Sequence, residues 1–115
     1  MNKTQTLGNA GETLVAQQLI SQGFTLLAKN YRRRTGEVDL IASKKDIIAF
    51  VEVKTRKNKY FDLSTVITRS KQRKIIMAAK EYLVRHDHYD KVCRFDVALV
   101  ENGNQITYIP NAFTE

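Results

Sequence analysis

Apolar residues recur along this chain first at a helical spacing and then at a strand spacing. Between Asn9 and Gln22, Leu14, Val15, Leu19 and Ile20 fall on one helical face, Ala10 and Ala16 add small contacts, and Gly23 stands where the helix should stop. Phe24 to Tyr31 is short and apolar and reads as a strand, followed by a basic turn, Arg32-Arg33-Arg34-Thr35-Gly36. Two alternating runs come next, Glu37 to Ile41 and Ile47 to Lys54, with Ser43-Lys44-Lys45-Asp46 between them, the pattern of a β-hairpin. Asn58 to Ile67 reads as loop. A second helix is predicted from about Arg69 to Arg85, capped by Thr68, with Ile75, Ile76, Ala79, Tyr82 and Leu83 as its apolar stripe. Arg94 to Val100 alternates again, and Asn102-Gly103 turns the chain into a last strand, Gln105 to Ile109. Helix, three strands, helix and two strands predict an α/β domain: a central mixed sheet of about five strands flanked by helices.

The hairpin carries the chemistry. On a strand, side chains point to opposite faces in turn, so Val38 and Leu40 should share one face, as should Ile47, Ala49, Val51 and Val53. The other face would carry Glu37, Asp39 and Ile41 on one strand and Ile48, Phe50, Glu52 and Lys54 on the other. That face is apolar near the turn and charged at its far end, whereas an ordinary solvated face is polar throughout. Two registers bring carboxylates together. Ala42 opposite Ile47 sets Glu37 against Glu52, and Ser43 opposite Ile48 sets Asp39 against Glu52 and Glu37 against Lys54. A slip of one residue would separate Asp39 and Glu52 onto opposite faces.

Two carboxylates side by side repel unless something positive lies between them. All-oxygen donors of this kind suit magnesium or manganese, and the backbone carbonyl of Val53 could add a ligand. Such a cation polarises a phosphoryl oxygen and acidifies a bound water. Lys54 would orient that water or steady the charge of the transition state. Glu12, on the first helix, supplies a further carboxylate if that helix packs at the charged end of the hairpin. The bland alternative is an exposed ladder of ion pairs, Glu37 with Lys54 and Glu52 with Arg56.

The chain has 115 residues, which fits a single domain, residues 1–115. Lys and Arg number 19 against 12 Asp and Glu, a net charge of +7, which suits a polyanionic partner such as nucleic acid. The basic residues bracket the acidic strands: Arg32, Arg33 and Arg34 before Asp39, and Arg56, Lys57 and Lys59 after Lys54, with Tyr60 and Phe61 beside them. Arg69, Lys71, Arg73 and Lys74 open the second helix. Such groups hold phosphates and exposed aromatics stack on bases, although each run alone would also serve as a solvated face. The single cysteine, Cys93, allows no internal disulfide and reads as a buried apolar residue; His86 and His88 read as capping or solvated groups, and Asp96 as the partner of Arg94. No apolar run approaches ~18 residues, so no transmembrane helix is expected, and the polar Met1 to Ala10 lacks the core of a signal peptide. A cytoplasmic setting is the expectation.

Gly11-Glu12 opening a helix, Asn30, the block Gly36-Glu37-Val38-Asp39-Leu40-Ile41 and the block Phe50-Val51-Glu52-Val53-Lys54-Thr55-Arg56 resemble the YraN-like family of small uncharacterised bacterial proteins. Lys71, Ala79, Tyr82-Leu83 and Arg94-Phe95-Asp96-Val97 fit the same family, so the resemblance spans about Gly8 to Val100. Asp62 departs from it, standing where a glycine is expected. The family is similar in turn to the restriction-endonuclease-like fold with its PD-(D/E)xK signature, and to archaeal Holliday-junction resolvases. The resemblance implies that Asp39, Glu52 and Lys54 stand at the signature positions and Glu12 at the acidic position of the first helix. The signature proline is replaced by Val38. The function this implies is a magnesium- or manganese-dependent endonuclease acting on DNA rather than RNA, branched DNA included, with Lys71 reaching the scissile phosphate. A homodimer follows by analogy with resolvases, whose substrate is two-fold symmetric. The rival readings are a non-catalytic nucleic-acid-binding module on the same fold and an adaptor for an acidic protein.

Overall fold

The computed structural model describes residues 3–56, 67–87 and 90–115, with side chains from residue 10 onward. The chain runs α1 (Lys3–Ser21), β1 (Thr25–Arg33), β2 (Gly36–Lys44), β3 (Ile47–Arg56), α2 (Arg69–His86), β4 (Val92–Glu101) and β5 (Gln105–Phe113). The strands form one five-stranded sheet in the order β1-β2-β3-β4-β5. Its pairs are antiparallel except β3 with β4, which are parallel. A parallel pair needs a long crossover, and α2 lies in that connection. The fold is the α/β arrangement that the order of elements predicts. Among the described residues no helix is long and apolar enough to cross a membrane.

Among the described residues, each face of the sheet is covered by one helix. Val15, Ala16 and Leu19 of α1 pack on Leu40, Ala42, Ala49, Val51, Ala98 and Val100. On the opposite face Ile75, Ala78, Ala79 and Tyr82 of α2 pack on Val38, Ile41, Ile48, Phe50 and Phe95. Full burial of side chains of this size contributes about 1.5–3 kcal/mol each, which is what holds both helices to the sheet. Thr68 caps α2 as predicted, its hydroxyl accepting the Lys71 N–H at 3.2 Å. Two close approaches set the helices' positions. A Cβ on Gly36 would lie 1.8 Å from the Lys74 carbonyl oxygen, so the backbone of α2 rests on the start of β2. A Cβ on Gly11 would lie 2.6 Å from Thr55 Oγ1, so α1 reaches the far end of β3.

Several boundaries and faces differ from the sequence pattern. Helix α1 starts at Lys3, where polar residues offer no apolar period to read. Arg32 and Arg33 belong to β1, leaving Arg34-Thr35 as the turn. Strand β5 continues through Pro110 to Phe113, because it is an edge strand and Asp96 accepts the Asn111 N–H at 2.9 Å. Cys93 is exposed rather than buried, since it faces an open groove between α2 and β4 lined also by Ile76, Leu83 and Phe95. The exposed His86 stacks on Tyr82 with ring centroids 4.2 Å apart, and His88 lies outside the described residues. Most consequential is β2. Val38 lies in the α2-side core with Ile41, whereas Leu40 lies in the α1-side core, so the predicted shared face of Val38 and Leu40 is broken at Asp39.

Candidate functional site

The hairpin adopts the register with Ser43 opposite Ile48, and the pairing runs from Lys44↔Ile47 as far as Leu40↔Val51. There the ladder between β2 and β3 ends. Asp39 turns into the opening, and its Oδ2 accepts the N–H of Val53 at 2.8 Å. A carboxylate thus takes the place of a strand carbonyl, which satisfies the β3 backbone and re-aims β2 in the manner of a bulge. It also brings the Asp39 carboxyl into hydrogen-bonding contact with that of Glu52. Burial, and then the neighbouring Glu52, push the Asp39 carboxyl up to about 7, against the opposing pull of the Val53 N–H and Lys71. At neutral pH the pair therefore retains part of a proton that a cation could replace.

Glu52 is 4% exposed. Its Oε1 lies 2.7 Å from Nζ of Lys71, delivered by the first turn of α2. Lys54, two residues along β3, lies against Lys71, and that neighbour, followed by burial, lowers its pKa. Burial pulls the Lys71 ammonium down as well, but the hydrogen bond and charge of Glu52, with the charge of Asp39, oppose burial and leave it raised. The alternative ladder of Glu37 with Lys54 and Glu52 with Arg56 is not what forms. Glu37 pairs with Arg32 at 3.5 Å on the surface, and Glu52 pairs with Lys71.

Glu12 is also buried, and its carboxyl is raised by burial and then by Asp39. Asn30, in a left-handed conformation at φ 54°, stands beside it on β1. With its amide nitrogen turned toward Glu12, the orientation that satisfies both ends of the amide, Asn30 donates to the two carboxylate oxygens at 2.8 and 3.0 Å. Asp39 is thus the central acid, with Glu12 on the α1 side and Glu52 on the α2 side. Among the described residues no three carboxylate, imidazole or thiolate groups converge closely enough to form a metal cluster. The tight group is Asp39, Glu52, Lys54 and Lys71, with Glu12 adjacent to Asp39.

The basic residues divide. Arg33 is committed to the Tyr31 hydroxyl at 3.0 Å and to Glu81 at 3.8 Å. Arg32, Arg34 and Arg56 are exposed, and Arg56 donates to the Thr55 carbonyl at 3.5 Å. Lys57, Lys59, Tyr60, Phe61 and Asp62 lie outside the described residues. Asp96 is fully buried and pairs with Arg94, as expected; the Tyr108 hydroxyl also donates to it.

A family model described as the uncharacterised protein family UPF0102 matches residues 11–100. The chain belongs to the UPF0102 family. This is the YraN-like family that the hairpin blocks resemble, and the match takes in Glu12, Asp39, Glu52, Lys54 and Lys71. A UPF0102 protein of Saccharophagus degradans is 43% identical over 116 residues, covering 99% of this chain and 98% of that protein. One of Nitrosomonas eutropha is 43% identical over 116 residues, covering 100% and 99%. One of Treponema pallidum is 38% identical over 117 residues, covering 95% and 93%. In this UPF0102 chain the structure adds two site features to the motif residues. The Lys71–Glu52 pair is a tertiary contact with no local signature. Asn30 does have one: asparagine is depleted inside strands and enriched at positive φ, so its place within TLLAKNYRR marks an irregularity.

Proposed function

We propose that this protein is a metal-dependent endonuclease that hydrolyses phosphodiester bonds in DNA, branched DNA included. The observation that carries the proposal is the convergence of Asp39 and Glu52 at the point where β2 and β3 part, with the ammonium groups of Lys54 and Lys71 against them. The donor set fits a hard divalent cation: two carboxylates in contact, one of them holding its proton up to about pH 7, form a site that a positive charge relaxes. Asp39, Glu52 and the Val53 carbonyl would hold magnesium or manganese, with Glu12 assisting from the α1 side. Such an ion, when bound, polarises the phosphoryl oxygen and lowers the pKa of a water.

The chain's own residues do the rest. The Val53 N–H and Asn30 fix the directions of Asp39 and Glu12. Lys54, eased toward its neutral form by Lys71, orients the attacking water and stabilises the charge that grows on the phosphorus centre. Arg32, Arg34, Arg56, Lys57 and Lys59 grip flanking phosphates, and Tyr60 stacks on a base. A reducing cytoplasm, with the DNA in reach, is the compartment this reading requires, and a homodimer would match a two-fold symmetric junction.

The test is cleavage of linear, single-stranded and branched DNAs with magnesium or manganese. Cleavage is expected to vanish in Glu52→Ala and Lys54→Ala; cleavage that survives both would rule the mechanism out. One observation favours a second reading, a non-catalytic nucleic-acid-binding module: Lys71 already neutralises Glu52 from within the chain. Calorimetric titration with manganese separates the two, since a pure binder takes up no cation.

A further inference from the structure

Among the described residues, two buried carboxylates have ion-pair partners, and they are held in opposite ways. Asp96 receives Nε and Nη2 of Arg94, the Tyr108 hydroxyl and the Asn111 N–H, donors fixed by β4 and β5. Glu52 instead meets one ammonium at 2.7 Å, at the end of a flexible side chain that is 32% exposed. That same ammonium touches Lys54 and lies in the field of Asp39. Two ammonium groups in contact repel, so Lys71 is held there by the carboxylates and not by its neighbour. It occupies the position from which a cation neutralises both acids. Beside it opens a groove of about 230 Å³ lined by Glu37, Thr68, Ser70, Lys71, Lys74 and Ile75.

We propose that Lys71 is an exchangeable counter-ion, which sits on the Asp39–Glu52 pair in the metal-free protein and is released into the adjoining groove to bind a substrate phosphate when a divalent cation takes its place. The inference rests on the metal reading above. A carboxylate oxygen that coordinates a divalent ion cannot keep an ammonium at hydrogen-bonding distance on the same side, because the two cations compete for one position. Release needs no backbone movement, since the Lys71 N–H stays on the Thr68 hydroxyl while the side chain swings. In the groove the freed ammonium joins Lys74 at the start of a helix that carries no acidic residue in its first turn, where a phosphate oxygen is welcome. Coupling of this kind is reciprocal: the lysine that weakens metal binding makes metal binding strengthen the hold on phosphate.

The experiment is manganese titration by calorimetry on the full chain for the wild type, Lys71→Met, Lys71→Gln and Asp39→Asn. A companion measurement follows acetylation of Lys71 by acetic anhydride, read by mass spectrometry with and without manganese. Both Lys71 variants are expected to bind manganese about tenfold more tightly than the wild type, equivalent to about 1.4 kcal/mol. Lys71 labelling is expected to rise several-fold with manganese in the wild type and to stay unchanged in Asp39→Asn. Lys71→Gln retains a donor for Glu52, which covers the case in which Lys71→Met fails to fold. Equal or weaker manganese binding in the Lys71 variants, with binding still lost in Asp39→Asn, overturns the exchange and leaves the metal reading standing. Absence of manganese uptake by every form overturns both.

Discussion

Asparagine at position 39 would keep an oxygen for the Val53 N–H and remove the charge. In the native protein burial and Glu52 raise the Asp39 carboxyl from 3.8 to about 7. An acid raised in this way binds its proton more tightly folded than unfolded. From about pH 4 to pH 7 the folded state therefore carries more of that proton, and this group's contribution to stability falls as the pH rises. Each pH unit of that span is worth about 1.4 kcal/mol, which sets a ceiling of about 4 kcal/mol above pH 7. Solvent at the partly exposed edge of the site screens this, so about 2 kcal/mol is expected. Urea unfolding of the wild type and Asp39→Asn, without metal, measures it. The two should be close in stability at pH 4, and the variant should be the more stable by about 2 kcal/mol at pH 8. Saturating manganese should then stabilise the wild type alone. A gap that does not change with pH, or a variant less stable at pH 8, would refute the reasoning that this aspartate is held under strain for the sake of a cation.

Other expectations follow from the same structure. Asp96→Ala leaves the Arg94 guanidinium, the Tyr108 hydroxyl and the Asn111 N–H without their acceptor, so a loss of about 3–5 kcal/mol is expected in chemical denaturation. A loss below ~1 kcal/mol would show that the network is dispensable. Gly36→Ala drives a methyl group into the Lys74 carbonyl, where both neighbours are backbone, and should lose at least about 3 kcal/mol in thermal unfolding or fail to fold. Thr68→Ala removes the cap of α2 and should lose about 1 kcal/mol, a modest change to set against Gly36→Ala. Neutralisation of ~6 phosphates predicts a slope of about −5 for log affinity against log salt on duplex DNA, and salt-independent affinity would sink the backbone-binding reading.

The order of elements was legible because it rests on period and punctuation. The stripe of α2, the Thr68 cap and the Asn102-Gly103 turn all act locally, and all stand where the pattern places them. The hairpin was legible in the faces of β3 but not in its register, since both pairings bring carboxylates together; only the assembled sheet selects Ser43 opposite Ile48. The break at Asp39 was hidden. The run from Glu37 to Ile41 alternates in sequence, and the irregularity arises from a bond between its side chain and a backbone N–H on another strand. For the same reason the ion-pair partner of Glu52 was not legible: Lys71 is distant along the chain and arrives through the packing of α2. Residue type alone favours burial for Cys93, and its exposure is decided by where α2 ceases to cover β4.

The bond from the Val53 N–H to the Asp39 carboxylate has one further consequence. An amide proton that ends on an ionisable group, in place of a neutral carbonyl, has a magnetic environment that follows the charge of that group. The Val53 resonance in a nitrogen–proton correlation spectrum should therefore drift as the acid titrates near neutrality and jump when a cation loads, while amides deeper in β3 hold still. The strand that frames the site thus carries its own indicator, readable without substrate, label or turnover.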